Sequence, residues 1–144
     1  MENQDTLNLL KECDAGTKMA ISSIDEILEK VKDSDLKVIL MKSKEEHSKI
    51  EDEIKCLTEE YGSEEKEPNA MAKGMSWLKT NFKMGMDESD ATVADLITDG
   101  CNMGVKSLNE YLNKYTDANS KVKDICNRLI KLEEKLCKDI KGYL

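Results

Sequence analysis

A single proline and seven glycines among 144 residues leave too few turn formers for a sandwich or a barrel. No apolar run approaches the roughly 18 residues of a transmembrane span, which argues against a membrane protein. Clustered basic residues are also missing. The formal charge is −8, whereas a nucleic-acid binder must neutralise phosphates with grouped Lys or Arg. The five cysteines contain no CxxC and keep no regular spacing, which fits reduced thiols in a cytoplasm better than a disulfide framework. The opening MENQDTLNLLKECDAG is acidic and amphipathic, unlike a signal peptide. There is no phosphate-binding glycine loop. With one histidine, any nucleophile–base pair would have to use His47, which lies too deep for a macromolecular substrate. No catalytic residue is assigned, and whether the chain is an enzyme stays open, with the reading leaning against it.

What is present is helical periodicity in a chain that is 36% charged. The stretch from Ser34 to Gly62 is the most regular. Leu36, Leu40, Ser43, His47, Ile50, Ile54, Leu57 and Tyr61 recur at intervals of four and three, an apolar stripe on one helix. Ser34 is suited to cap its start, and Gly62 to the left-handed position that closes it. His47 sits in mid-stripe, where a leucine would be expected.

The remaining elements follow in order. A helix over about 5–32, capped by Asp5, presents Leu10, Thr17, Ile21, Ile24, Leu28 and Val31, with Cys13 and Asp14 on its shoulders. The second helix runs over about 35–61. Residues 63–87 are different, with a polar loop ending at Pro68, then MAKGMSWLKTNFKMGM over 71–86, which has three lysines, no acids and four of the eight methionines. This connector is too long for a hairpin and must cover ~40 Å to reach the far end, so a crossover carrying a short helix over 71–84 is predicted. Met71, Met75, Leu78 and Phe82 share one side of that helix. Trp77 lies nearly opposite and predicts a homodimer contact through 71–86. A third helix over about 89–115 buries Val93, Leu96, Ile97, Cys101, Leu108, Tyr111 and Tyr115, with Gly100 and Gly104 on or beside its face. A fourth over about 118–142 buries Val122, Ile125, Leu129, Leu132, Leu136, Ile140 and Tyr143. The expected fold is a single all-α domain over 1–144, a ferritin-like up-down-down-up four-helix bundle with a long crossover.

In that topology Thr17, His47 and Glu133 each fall within about 30° of the centre of their apolar faces, at similar height. Cys101 and Gly100 reach the same level. Di-iron bundles place about six ligands here, one Glu from each of two helices and a Glu-x-x-His from each of the others. This chain offers Thr17 or Asp14, Lys44-x-x-His47, Gly100 and Ile130-x-x-Glu133, with Lys44 at the bridging position.

The stretches LLKECDAGTK (9–18), SKEEHSKIEDEI (43–54), YGSEEKEPNAMAKGMSWLK (61–79) and DATVADLITDGCNMGVKSLNEYL (90–112) carry a resemblance. The chain resembles the bacterial ferritin-like four-helix-bundle family of uncharacterised function, related to the di-iron carboxylate bundles. The resemblance implies the fold. It maps the family's helix-two histidine onto His47, and its acidic positions near Asp14–Thr17 and Asp99–Gly100, where no inward glutamate is kept.

Two functional readings follow. The first is a non-catalytic bundle in a stress-related or interaction role with a degenerate metal site and no cofactor, His47 being a core histidine bonded to Glu133 or, second, Asp14. The alternative is a metal-binding or redox protein holding a single transition metal such as zinc or iron through His47, Glu133, Asp14 and Cys101.

Overall fold

The computed structural model describes residues 2–66 and 89–144, and among these there are four long helices and no strand. They are α1 (Gln4–Leu28), α2 (Ser34–Glu60), α3 (Asp90–Lys114) and α4 (Ser120–Ile140), the last followed by a short 3-10 turn, Lys141–Tyr143. No helix among the described residues is long and apolar enough to cross a membrane. The expected helix over 71–84, the crossover that carries it and the Trp77 contact lie outside the described residues.

Each long helix opens in the same way. A residue in extended conformation turns its side-chain oxygen onto the amide three positions on: Asn3 to Thr6, Asp33 to Leu36, Ser89 to Thr92 and Asn119 to Val122. The caps of α1 and α2 therefore differ from the expected Asp5 and Ser34. Asp5 is instead used across the fold, where its carboxylate accepts the Asp117 amide at 3.0 Å. Gly62 closes α2 as expected, at φ +64°. Its amide bonds the Glu59 carbonyl at 3.2 Å and that of Ser63 bonds Thr58 at 2.9 Å, a Schellman closure.

α1 stops at Leu28 rather than near residue 32. The reason is tertiary. Asp90, at the start of α3, takes the amides of Lys32 and Asp33 at 2.8 and 3.0 Å, so these groups find partners outside their own helix. Tyr143 also reaches this end, donating to Asp33 at 3.0 Å. At the opposite end Asn119 donates to the Tyr61 hydroxyl at 3.1 Å, and its amide bonds Thr6 Oγ1 at 2.8 Å. α1 packs on α2, α3 on α4 and α2 on α4, while α1 also touches α3 and α4.

The apolar interior is split in two. One cluster includes Leu9, Leu10, Ile50, Ile54, Leu108, Val122, Ile125 and Leu129; the other includes Ile24, Ile27, Leu36, Leu40, Val93, Leu96, Leu136 and Ile140. Between them lies a buried polar layer with Thr17, Ser43 and His47. Cys13 and Asp14 are not on shoulders but fully buried, and Ile21 and Leu28 are only half-buried. Cys56 is exposed.

Asp90→Ala should lower the unfolding free energy by about 1–3 kcal/mol, since two amides lose a charged acceptor. Asp90→Asn should fall in between. Urea denaturation would measure this, and an unchanged midpoint would show that the Asp90 bonds do not hold the two ends together.

Candidate functional site

His47 arises from the regular stripe of α2, and its ring is fully enclosed, with 0% exposure. Nδ1 lies 2.8 Å from the Ser43 carbonyl one turn back, with Ser43 Oγ at 3.4 Å. A carbonyl can only accept, so Nδ1 carries a hydrogen. Nε2 lies 3.0 Å from Glu133 Oε1 on α4, and that contact needs one more proton. Burial pushes the imidazole toward neutrality. The Glu133 bond and charge, together with the Ser43 carbonyl, outweigh it and raise the pKa above its ordinary value. The contact therefore favours the protonated imidazole beside the carboxylate.

On α3, Gly104 faces Glu133. A methyl placed there would meet the Glu133 carboxyl carbon at 3.7 Å, an ordinary van der Waals contact, so α3 packs directly on the acid. Cys101 is buried beside Glu133 and Cys137. Burial first, then the Glu133 charge, hold it protonated far above the usual thiol range. Ser43, His47 and Glu133 thus form a hydrogen-bonded chain across two helices, with the Cys101 thiol of a third beside it.

The other expected members fall elsewhere. Thr17 is buried, but its hydroxyl bonds the Cys13 carbonyl of its own helix at 2.7 Å. Lys44 does not take the bridging position; it is half-exposed and pairs with Asp25. No described atom lies within 4 Å of a methyl built on Gly100, so that glycine makes no close approach.

Asp14 is not a partner of His47 and belongs to a second buried cluster. Its Oδ2 accepts the Lys66 amide at 2.9 Å and the Lys18 ammonium at 3.2 Å, while Lys66 Nζ pairs with Glu12. Beside it is Glu51, 6% exposed. Asp14 Oδ1 and both Glu51 oxygens are buried without a hydrogen-bond partner of normal geometry. Burial first and then the Asp14 carboxyl raise Glu51 to about 8, against which Lys18 and Lys55 act only in part. Glu51 is thus a neutral acid at neutral pH, which is how two buried carboxyls stand side by side. Sequence reading missed it. The signal was there, since Glu51 follows His47 by four residues and lies within ~40° of it around the helix.

The structure therefore brings His47, Glu133 and Cys101 together and leaves Asp14 out. Among the described residues no group of three or more His, Cys, Asp or Glu side chains is arranged to hold a metal ion. The donor set does not fit a di-metal centre. It has one carboxylate, an imidazole with both nitrogens already bonded, and a thiol held protonated. Comparison with protein-family models, curated proteins and solved structures finds no match for the chain.

The Glu51 acid sets a pH dependence. Between its ordinary 4.5 and about 8 the folded chain holds a proton that the unfolded chain has lost, so stability falls as pH rises through that window. Glu51→Gln removes this dependence. Its melting temperature should exceed that of wild type by several degrees at pH 8, and the gain should shrink toward pH 5. A difference that is constant with pH would show that Glu51 is ionised in the fold.

Proposed function

We propose that this chain is a non-catalytic ferritin-like bundle with a degenerate metal site, acting in an interaction or stress-related role in the cytoplasm. The topology is supported by where the helix ends lie. The start of α3 bonds the turn before α2, and the end of α2 bonds the α3–α4 turn, so the two helices run the same way and the order is up-down-down-up. Five free thiols suit a reducing compartment.

One observation carries the functional reading. At mid-height, where a ferritin-like centre would gather its ligands, the imidazole is closed off by Ser43 and Glu133. His47 and Glu133 are then a structural pair. A second reading, a single-metal or redox site, rests on the Cys101 thiol beside Glu133, which puts three ligand types near one another. It would require a metal to break both the His47–Glu133 bond and the Cys101 S–H.

The double variant His47→Leu, Glu133→Leu separates the two. As a structural pair it should be replaceable by packed apolar groups with little loss, or with a gain in stability. Each single variant should be worse by about 1–3 kcal/mol, because the other group is left buried and unpaired. Wild-type melting should be the same with and without chelator. A chelator-induced drop in wild type that the double variant lacks, with stoichiometric metal by elemental analysis, would replace the structural reading with the metal one.

A further inference from the structure

The five free cysteines occupy three different settings. Cys56 is exposed on α2, with every other cysteine on a different helix. Cys13 on α1 and Cys126 on α4 are neighbours in one apolar cluster, both with 0% exposure. The Cys126 sulfur turns to the Leu108 carbonyl at 3.6 Å, and no oxidant reaches either thiol without opening the core.

The third setting combines access with a second thiol close by. Cys137, on α4, is only half-buried. Its sulfur lies 3.8 Å from the Thr98 carbonyl and 3.8 Å from Asn102 Oδ1, both on α3. These two contacts bracket Cys101, since Thr98 precedes it by nearly one helical turn and Asn102 follows it directly. The Cys137 sulfur therefore rests on the α3 surface at the height of Cys101. Cys101 is buried there, and Cys137 packs against the apolar cluster that contains it.

We infer that Cys101 and Cys137 are a site of oxidative modification, at which a peroxide converts the two thiols into a disulfide that ties α3 to α4. Cys137 reacts first, because only its sulfur meets solvent. An S–O bond forms as the peroxide O–O bond breaks, the leaving hydroxide takes the Cys137 proton as water, and a sulfenic acid remains. The Cys101 sulfur then attacks Cys137 Sγ. The S–S bond forms as the S–O bond breaks, and the departing hydroxide takes the Cys101 proton as a second water. Two electrons pass from the two sulfurs to the peroxide. Burial, the larger cause, and the Glu133 charge hold both thiols above their ordinary range, so the first step is slow and favours a small uncharged oxidant. The chemistry does not depend on whether His47 and Glu133 are a structural pair or metal ligands.

The test uses the full chain as Cys56→Ser, tag-free and reduced, which retains four thiols, incubated with hydrogen peroxide in the folded state. Oxidation should consume two thiols per chain and no more, and peptide mapping without reductant should link Cys101 to Cys137. Dithiothreitol should restore both thiols. The oxidised chain should melt several degrees above the reduced one, because the cross-link restricts the unfolded chain. Cys101→Ser in the same background should stop at a sulfenic acid on Cys137 that dimedone traps, whereas Cys137→Ser should give neither product. Should these variants not fold, dimedone added at intervals to Cys56→Ser itself reads the order, with an early adduct on Cys137 that disappears as the cross-link grows. A cross-link between Cys13 and Cys126, a lasting dimedone adduct on Cys137 without a cross-link, or four thiols still free after peroxide would each overturn the inference. So would an oxidised chain that melts below the reduced one, since the bond would then strain the packing it is inferred to fit.

Discussion

A proton held between the imidazole of His47 on α2 and the carboxylate of Glu133 on α4 crosses the middle of an otherwise apolar interior. That contact constrains the packing more tightly than the leucines around it. If α2 slid by one turn, the imidazole would lose Glu133 and land among apolar side chains. The shift leaves a buried polar group unpaired, at roughly 1–3 kcal/mol, whereas apolar side chains would exchange one neighbour for another at little loss. The register of α2 against α4 follows from one bond. On α3, Gly104 and Cys101 lie against the same acid.

The ends of the helices are held by a different device. Short side chains at the caps and carboxylates from neighbouring helices take up the backbone amides that no helix can satisfy by itself. Asp90 does this for the α1–α2 turn, and Asp5 and Thr6 for the α3–α4 turn. Polar bonds at the two ends and at the centre thus divide the interior into two apolar compartments, each framed above and below.

Both buried titratable groups act on stability in the same sense. The raised pKa of His47 makes the ion pair fully effective below its ordinary 6.5, and that contribution is lost as pH rises through the folded value. Glu51 likewise keeps a proton that the unfolded chain has released, up to about 8. Both groups therefore contribute more to stability under mildly acidic than under alkaline conditions. On α1, Asp14 remains tied to Lys18 and the Lys66 amide, so the acid beside it must be the neutral one.

The sequence by itself determined the four described helices, their apolar faces and the depth of His47. Leu36 to Ile54 at spacings of three and four could bury only one side of a helix, and Gly62 could end it where few other residues can. The choice of Glu133 over Asp14 as the partner of His47 was also legible, because height and facing along regular helices follow from counting residues. Other features depended on neighbours distant in the chain. Asn3 rather than Asp5 caps α1 because Asp117 draws the Asp5 carboxylate away, and α1 ends early because Asp90 claims the amides beyond it. Lys44 turned outward to Asp25, and Thr17 bonded its own backbone, choices that periodicity cannot separate from inward ones. Glu51 lay hidden among the acids of its helix, since only the approach of Asp14 and the exclusion of water distinguish a buried neutral acid from a solvated charge.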